Sequence, residues 1–179
     1  MSTITVYGND FNKIMRTLKS FVAKHESRAA LTQIKLEHRA GSGTVTAIGL
    51  NGFVLAKIVV PALGEEDFDA IVPVTGQTRS ESVIITDSGD RITFEHSKSF
   101  SISYPKLNGE YINWKQIMPQ RESEYEISVN PHLLAEALSA LPSSTRTVTL
   151  KFGSPVSPIL IEQSSSEDQM LVLPVRVAK

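Results

Sequence analysis

The chain has 179 residues, a formal net charge of -1 and no cysteine, which excludes a disulfide framework, a thiol nucleophile and a Cys-ligated zinc site. Near-neutral charge argues against a compact, tight DNA binder, but is compatible with a local basic stripe making weak, sequence-independent contacts. The start lacks the basic residues and long apolar run of a signal peptide, and no apolar stretch is long enough to span a bilayer. A soluble, cytoplasmic protein with no membrane partner is therefore expected.

Residues 3–7 are β-branched and alternate, which predicts a short strand. Asn9 and Asp10 offer a cap for a helix over residues 9–25. Its apolar stripe is Phe11, Ile14, Met15, Leu18, Phe21 and Val22, and its opposite face carries Lys13, Arg16, Lys19 and Lys24. Strands follow over 31–38, 44–50 and 53–60, with Gly41 to Gly43 and the Asn51-Gly52 pair as turns. The acidic loop at Glu65 and Glu66 marks a boundary.

Four short strands are then predicted over 71–74, 82–86, 91–95 and 99–104. A brief turn is predicted over 76–80, and no helical stripe occurs between Glu65 and Tyr104. A turn at Asn108 and Gly109 leads into a connector over 111–119, which ends in a polar run over 119–123. Residues 125–129 are strand-like again. Asn130 and Pro131 form a strong helix start, and Leu133, Leu134, Ala137, Leu138 and Leu141 supply a second stripe over 130–141, stopped by Pro142. Strands over 148–152, 159–162 and 170–177 close the chain, with a loop over 164–168. The element order predicts three units, 1–66 and 120–179 with a helix each and 67–119 without one. This is an internal repeat of architecture rather than of residues.

The last unit resembles the C-terminal end of the bacterial DNA sliding clamp, the beta subunit of DNA polymerase III. The residues that carry this are the helix start at Asn130 and Pro131, the loop Pro155 to Pro158, and the tail Leu171, Val172, Leu173, Pro174, Val175, Arg176, Val177. Residues 104–119, with Trp114 to Pro119, resemble the connector between two clamp domains. Leu50 to Ala56 resembles a family hairpin, with Asn51 where the family has aspartate. The resemblance implies an α+β, clamp-like fold with two helices packed on antiparallel sheets in repeated strand-helix-strands units. A full clamp subunit has six half-domains, and this chain has room for about three.

It also implies function: a DNA sliding-clamp-like processivity or accessory factor in DNA replication, homo-oligomeric and without a cofactor. Weak, non-specific contact with double-stranded DNA would fall to Lys13, Arg16, Lys19 and Lys24, whereas the second helix offers only His132 and Glu136. An ordinary solvated helix face explains the same four cations. Clamp-binding-motif proteins, such as a polymerase or clamp loader, would insert a short apolar peptide at Leu50, Gly52, Phe53, Val54 and Leu55, at Ile112, Gln116 and Ile117, and at Leu171 to Arg176. For Leu55 and Leu173 a core-strand role is the competing explanation. The alternative function is a protein-interaction module that retains the clamp fold without encircling DNA.

An enzyme fits the residues poorly. The four histidines, His25, His38, His96 and His132, show no paired spacing. Gly41-Ser42-Gly43 lacks the Lys-Ser/Thr and helix of a phosphate loop. Glu65, Glu66, Asp67 and Asp69, like Asp87 and Asp90, lack the ligand spacing of an EF-hand and read as solvated loop carboxylates.

Overall fold

Alternating burial makes the sheets. In β1 (Ser2–Tyr7) Ile4 and Val6 turn inward, and in β6 (Ser82–Asp87) and β7 (Arg91–Ser97) Val83, Ile85, Ile92 and Phe94 do the same. The structure, a computed structural model, describes all residues except 26–27, 108, 120–122, 143, 164–167 and 177–179. The sequence expectations for Asn108, for residues 120–122, for the loop over 164–167 and for Val177 lie outside the described residues.

The chain forms two compact units, Met1–Met118 and Pro119–Lys179. The first is one eight-stranded antiparallel sheet in the order β5-β2-β3-β4-β1-β6-β7-β8. Here β2 is Ile34–His38, β3 Thr44–Leu50, β4 Leu55–Leu63, β5 Phe68–Val72 and β8 Phe100–Pro105. The expected units 1–66 and 67–119 share this sheet and one core, because β5 pairs with β2 and β1 with β6. Helix α1 (Gly8–Leu18) packs Phe11, Ile14, Met15 and Leu18 into that core.

α1 differs from the expected helix at both ends. It starts at Gly8 with Tyr7 as cap residue, and neither Asn9 nor Asp10 caps it. Gly8 N–H donates to the Glu81 carbonyl at 2.7 Å, and a Cβ there would meet the Ser80 oxygen at 1.9 Å, so glycine is required by close approach. The helix stops at Leu18, and Phe21 and Val22 stay partly buried in the turn that follows. Residues 29–32 form a 3₁₀ turn rather than strand, with Leu31 buried.

No helix occurs among residues 65–104. The segment over 76–80 is an extended loop instead of the expected turn, because the Asn12 side chain holds Thr78 by both backbone groups. Its Nδ2 donates to the Thr78 carbonyl at 2.8 Å, and Thr78 N–H donates to its Oδ1 at 2.7 Å.

His96 is buried against the loop, its ring edge-on to Phe11 at 5.7 Å and tilted against Phe100 at 5.4 Å. Burial pushes its pKa below the ordinary value. The unfolded chain then binds this proton more readily than the folded one, so stability falls as pH drops below the unfolded value of about 6.5. Thermal melts should show a lower Tm at pH 5.5 than at pH 7.5, and His96→Phe should flatten that difference. An unchanged slope in the variant would assign the proton uptake to another group.

The second unit holds helix α3 (Pro131–Ser139) and a three-stranded antiparallel sheet, β11-β10-β9, formed by β9 Val148–Lys151, β10 Ile159–Gln163 and β11 Gln169–Val172. Among the described residues its buried core is Ile159, Ile161 and Val172. α3 begins as expected, the Asn130 side chain accepting from His132 N–H at 2.9 Å with Pro131 in the first turn. Its stripe is not buried as expected. Leu134 and Ala137 pack on the small core, while Leu133 and Leu138 are exposed. Residues 125–129 make only an isolated bridge, Val129 to Pro174.

Candidate functional site

The expected DNA-facing cations are all exposed. Lys13 and Arg16 lie on α1, Lys19 is its C-cap residue, and Lys24 lies in the turn beyond. At 100° per residue the first three fan across one side of the helix, opposite the buried stripe. Arg16, in the last turn, also complements the negative end of the helix dipole. On α3, His132 and Glu136 are exposed and no cation joins them.

The expected peptide-binding residues divide between the two units. In the first, Gly52 takes a φ of 91° in the β3–β4 turn, and Asn51 Oδ1 accepts from the N–H groups of Phe53 and Val54 at 3.0 Å. This turn lifts Phe53 to 97% exposure, the largest of any large apolar side chain among the described residues. Val54 is exposed, Leu55 half-buried, and Leu50 buried in the sheet, where its side chain is closed to a ligand.

The connector is pinned to the same sheet. Trp114, on the single-turn helix α2 (Trp114–Ile117), donates from Nε1 to Glu37 Oε1 at 3.0 Å and carries Lys57 and Lys115 over its ring faces at 5.3 and 5.4 Å. Tyr111 O–H points at the Ile48 carbonyl at 3.3 Å, and burial pushes its pKa up to about 12. These anchors leave Gln116 and Ile117 exposed and Ile112 half-buried. Ile112 lines a hollow of about 400 Å³ with Arg28, Leu31 and Tyr111.

In the second unit an open groove of about 940 Å³ is lined by Leu173, Pro174, Val175 and Arg176 of the expected tail, together with Tyr125, Glu126, Ser128, Pro155 and Val156. Leu173, Val175 and Val156 are exposed apolar side chains. Leu171 is exposed as well but does not line the groove, and Val172 is buried in the core. Sequence reading missed Tyr125, Glu126, Ser128 and Val156 as groove residues. The available signal was Val156 between Pro155 and Pro158, an apolar side chain in a loop with no core strand to fill. Among the described residues no three His, Asp or Glu side chains gather as a metal-holding group, and no helix is long and apolar enough to cross a membrane.

Neither a protein-family model nor a curated protein sequence matches the chain. Solved structures do. The Pseudomonas aeruginosa DnaN sliding clamp (DNA polymerase III subunit beta) bound to griselimycin superposes on 97% of this chain and 51% of its own, with 17% identity and a TM-score of 0.77. The Caulobacter crescentus beta sliding clamp matches 98% of this chain and 66% of its own, at 16% identity and a TM-score of 0.68. The Bacillus subtilis DNA polymerase sliding clamp matches 98% and 64%, again at 16% identity and 0.68. The chain thus spans between about half and two thirds of the clamp chains it matches. At these identities the likeness establishes architecture: over its length the chain has the fold of the bacterial sliding clamp, the DNA polymerase III beta subunit, with a divergent sequence.

Proposed function

We propose that this chain is a sliding-clamp-type binding protein, not an enzyme, which serves DNA replication as a processivity or accessory factor. The observation that carries the reading is the apolar groove of the second unit, lined by the very tail residues, Leu173 to Arg176, on which the clamp resemblance rests. A short apolar peptide of the polymerase or clamp-loader type is its ligand. Val156, Leu173 and Val175 offer the apolar contacts, and Glu126 and Arg176 the polar ones. The exposed Lys13, Arg16, Lys19 and Lys24 supply weak duplex contact. We read the chain as three clamp half-domains, 1–66, 67–119 and 120–179, acting in a cytoplasmic homo-oligomer. A second reading, an interaction module that does not encircle DNA, draws support from the net charge of -1 and the lack of any cation on α3.

One apolar anchor contributes about 1.5–3 kcal/mol, so an isolated peptide should bind in the micromolar range, about -8 kcal/mol at best. Titration of a labelled clamp-binding peptide followed by fluorescence anisotropy tests this. Val175→Asp places a charge in the groove and should abolish binding, with the far-UV circular dichroism unchanged. Equal binding by the variant, or none by the parent chain, would remove the groove from the proposal.

A further inference from the structure

The β3–β4 turn brings together the parts of an intramolecular reaction. Asn51 is followed by Gly52, whose φ of 91° favours glycine, and no atom lies within 4 Å of where a Cβ on Gly52 would stand. The backbone nitrogen of Gly52 is therefore unscreened, and among the described residues its N–H has no hydrogen-bond partner. Asn51 Oδ1 accepts from Phe53 N–H and Val54 N–H, each at 3.0 Å, so the carboxamide is folded back along the residues that follow it. The Gly52 nitrogen lies in that same direction, and a bond from it to Asn51 Cγ closes a five-membered ring. Asn51 is half-buried and Gly52 exposed, so water reaches both.

We infer that Asn51 is a site of spontaneous covalent modification, deamidation through a succinimide. The Gly52 nitrogen gives its proton to hydroxide and attacks Asn51 Cγ. The N–Cγ bond forms, the Cγ–Nδ2 bond breaks, and Nδ2 takes a proton from water and leaves as ammonia. Water then opens the ring at either carbonyl. Attack at Cγ gives aspartate, and attack at the main-chain carbon gives isoaspartate, whose main chain runs through Cγ. One water enters and one ammonia leaves, with no oxidant or cofactor. The turn favours the reaction in two ways. Tethering makes the attack unimolecular. The two N–H groups on Oδ1 stand where negative charge gathers as Cγ becomes tetrahedral, as the donors of an oxyanion hole do.

Other asparagines lack one part or another. Pro131 after Asn130 has no N–H to ionise, and Asn12 is held at both ends of its carboxamide by Thr78. Asn9 and Asn113 precede Asp10 and Trp114, whose side chains crowd the ring. Asn108-Gly109 is a second Asn-Gly pair in the sequence. Either product adds a carboxylate, ionised above about pH 4, to a chain whose formal net charge is -1. Isoaspartate also adds a methylene to the main chain and turns the carbonyl that holds the Phe53 and Val54 N–H groups into a backbone carbonyl. The turn that displays Phe53 is thereby rebuilt, and any partner that reads Phe53 meets a fresh form and an aged one.

The inference does not depend on DNA or peptide binding, and its test uses neither. Trypsin places the two Asn-Gly pairs in separate peptides, residues 40–57 and 107–115, so mass spectrometry reads each alone. Digestion at mildly acidic pH keeps the reaction from running during the assay. The folded full chain, incubated at pH 8.5, should gain about one dalton in peptide 40–57, which then separates into an aspartate and an isoaspartate form. At pH 6.5 the gain should be slower by about tenfold or more, because hydroxide supplies the attacking nitrogen. The folded chain should react at least as fast as the chain unfolded in urea, where the two donors to Oδ1 are lost. Gly52→Ala should slow the gain about tenfold. Asn51→Gln, which would need a six-membered ring, should abolish it with circular dichroism unchanged. A peptide 40–57 of constant mass, a rate indifferent to pH or to either substitution, or a folded chain slower than the unfolded one by about tenfold would each overturn the inference.

Discussion

Replacing Arg16 and Lys19 together by glutamate is expected to abolish duplex binding while leaving the protein folded. Both side chains are exposed and stand off the buried stripe of α1, so the core does not register the change. The cost to the fold is confined to the helix dipole, where a carboxylate near the last turn loses about 0.3–1 kcal/mol. The effect on DNA is larger for two reasons. Four cations give a slope of log K on log salt of about -3.6, and removing two halves it. Reversal then sets carboxylates against phosphate. Filter binding or anisotropy with a duplex of arbitrary sequence at low salt reads this directly, with Arg16→Gln and Lys19→Gln as the milder pair. A parent chain that shows no binding at low salt, or a reversed variant that binds as well as the parent, would favour the interaction module.

The second large effect is on stability. Phe11→Ala should cost about 3–5 kcal/mol, since it empties the space under α1 where the Phe11 ring meets Phe94 edge-on at 5.9 Å and His96 at 5.7 Å. Phe11 is wholly buried, and the strands around it leave little room to collapse. Trp114 is the only tryptophan and is buried in the first unit, so its fluorescence during urea titration reports that unit. A midpoint that barely moves would show that neighbouring side chains refill the gap.

What was legible in the sequence was what local chemistry decides. Asn130 and Pro131 announced α3 because a side-chain acceptor and a missing N–H act within one turn. The inward residues of β1, β6 and β7 showed in their alternation. The end of α1 did not show, because Phe21 and Val22 remain partly buried in a turn and so keep the helical spacing without the helix. The loop over 76–80 escaped for a similar reason, its conformation being set by Asn12 some 66 residues away. The candidate site divided in the same way. The tail Leu173 to Arg176 was recognisable, but Tyr125 and Val156 reach the same groove from other segments, and only the folded chain brings them there. The exposure of Leu133 and Leu138 was invisible too, since a stripe records amphipathicity and not whether its seat is filled.

The placement of β1 between β4 and β6 governs when the sheet can form. Thr3 and Thr86 face each other although 83 residues separate them. During synthesis β1 therefore waits, unpaired along most of its length, until β6 has been made. Contacts this distant in sequence slow folding, because loop closure must precede any gain from pairing. A ribosome arrested between β5 and β6 should hold a nascent chain that is still open to protease and to chaperones, and the protection should arrive abruptly once the second half emerges.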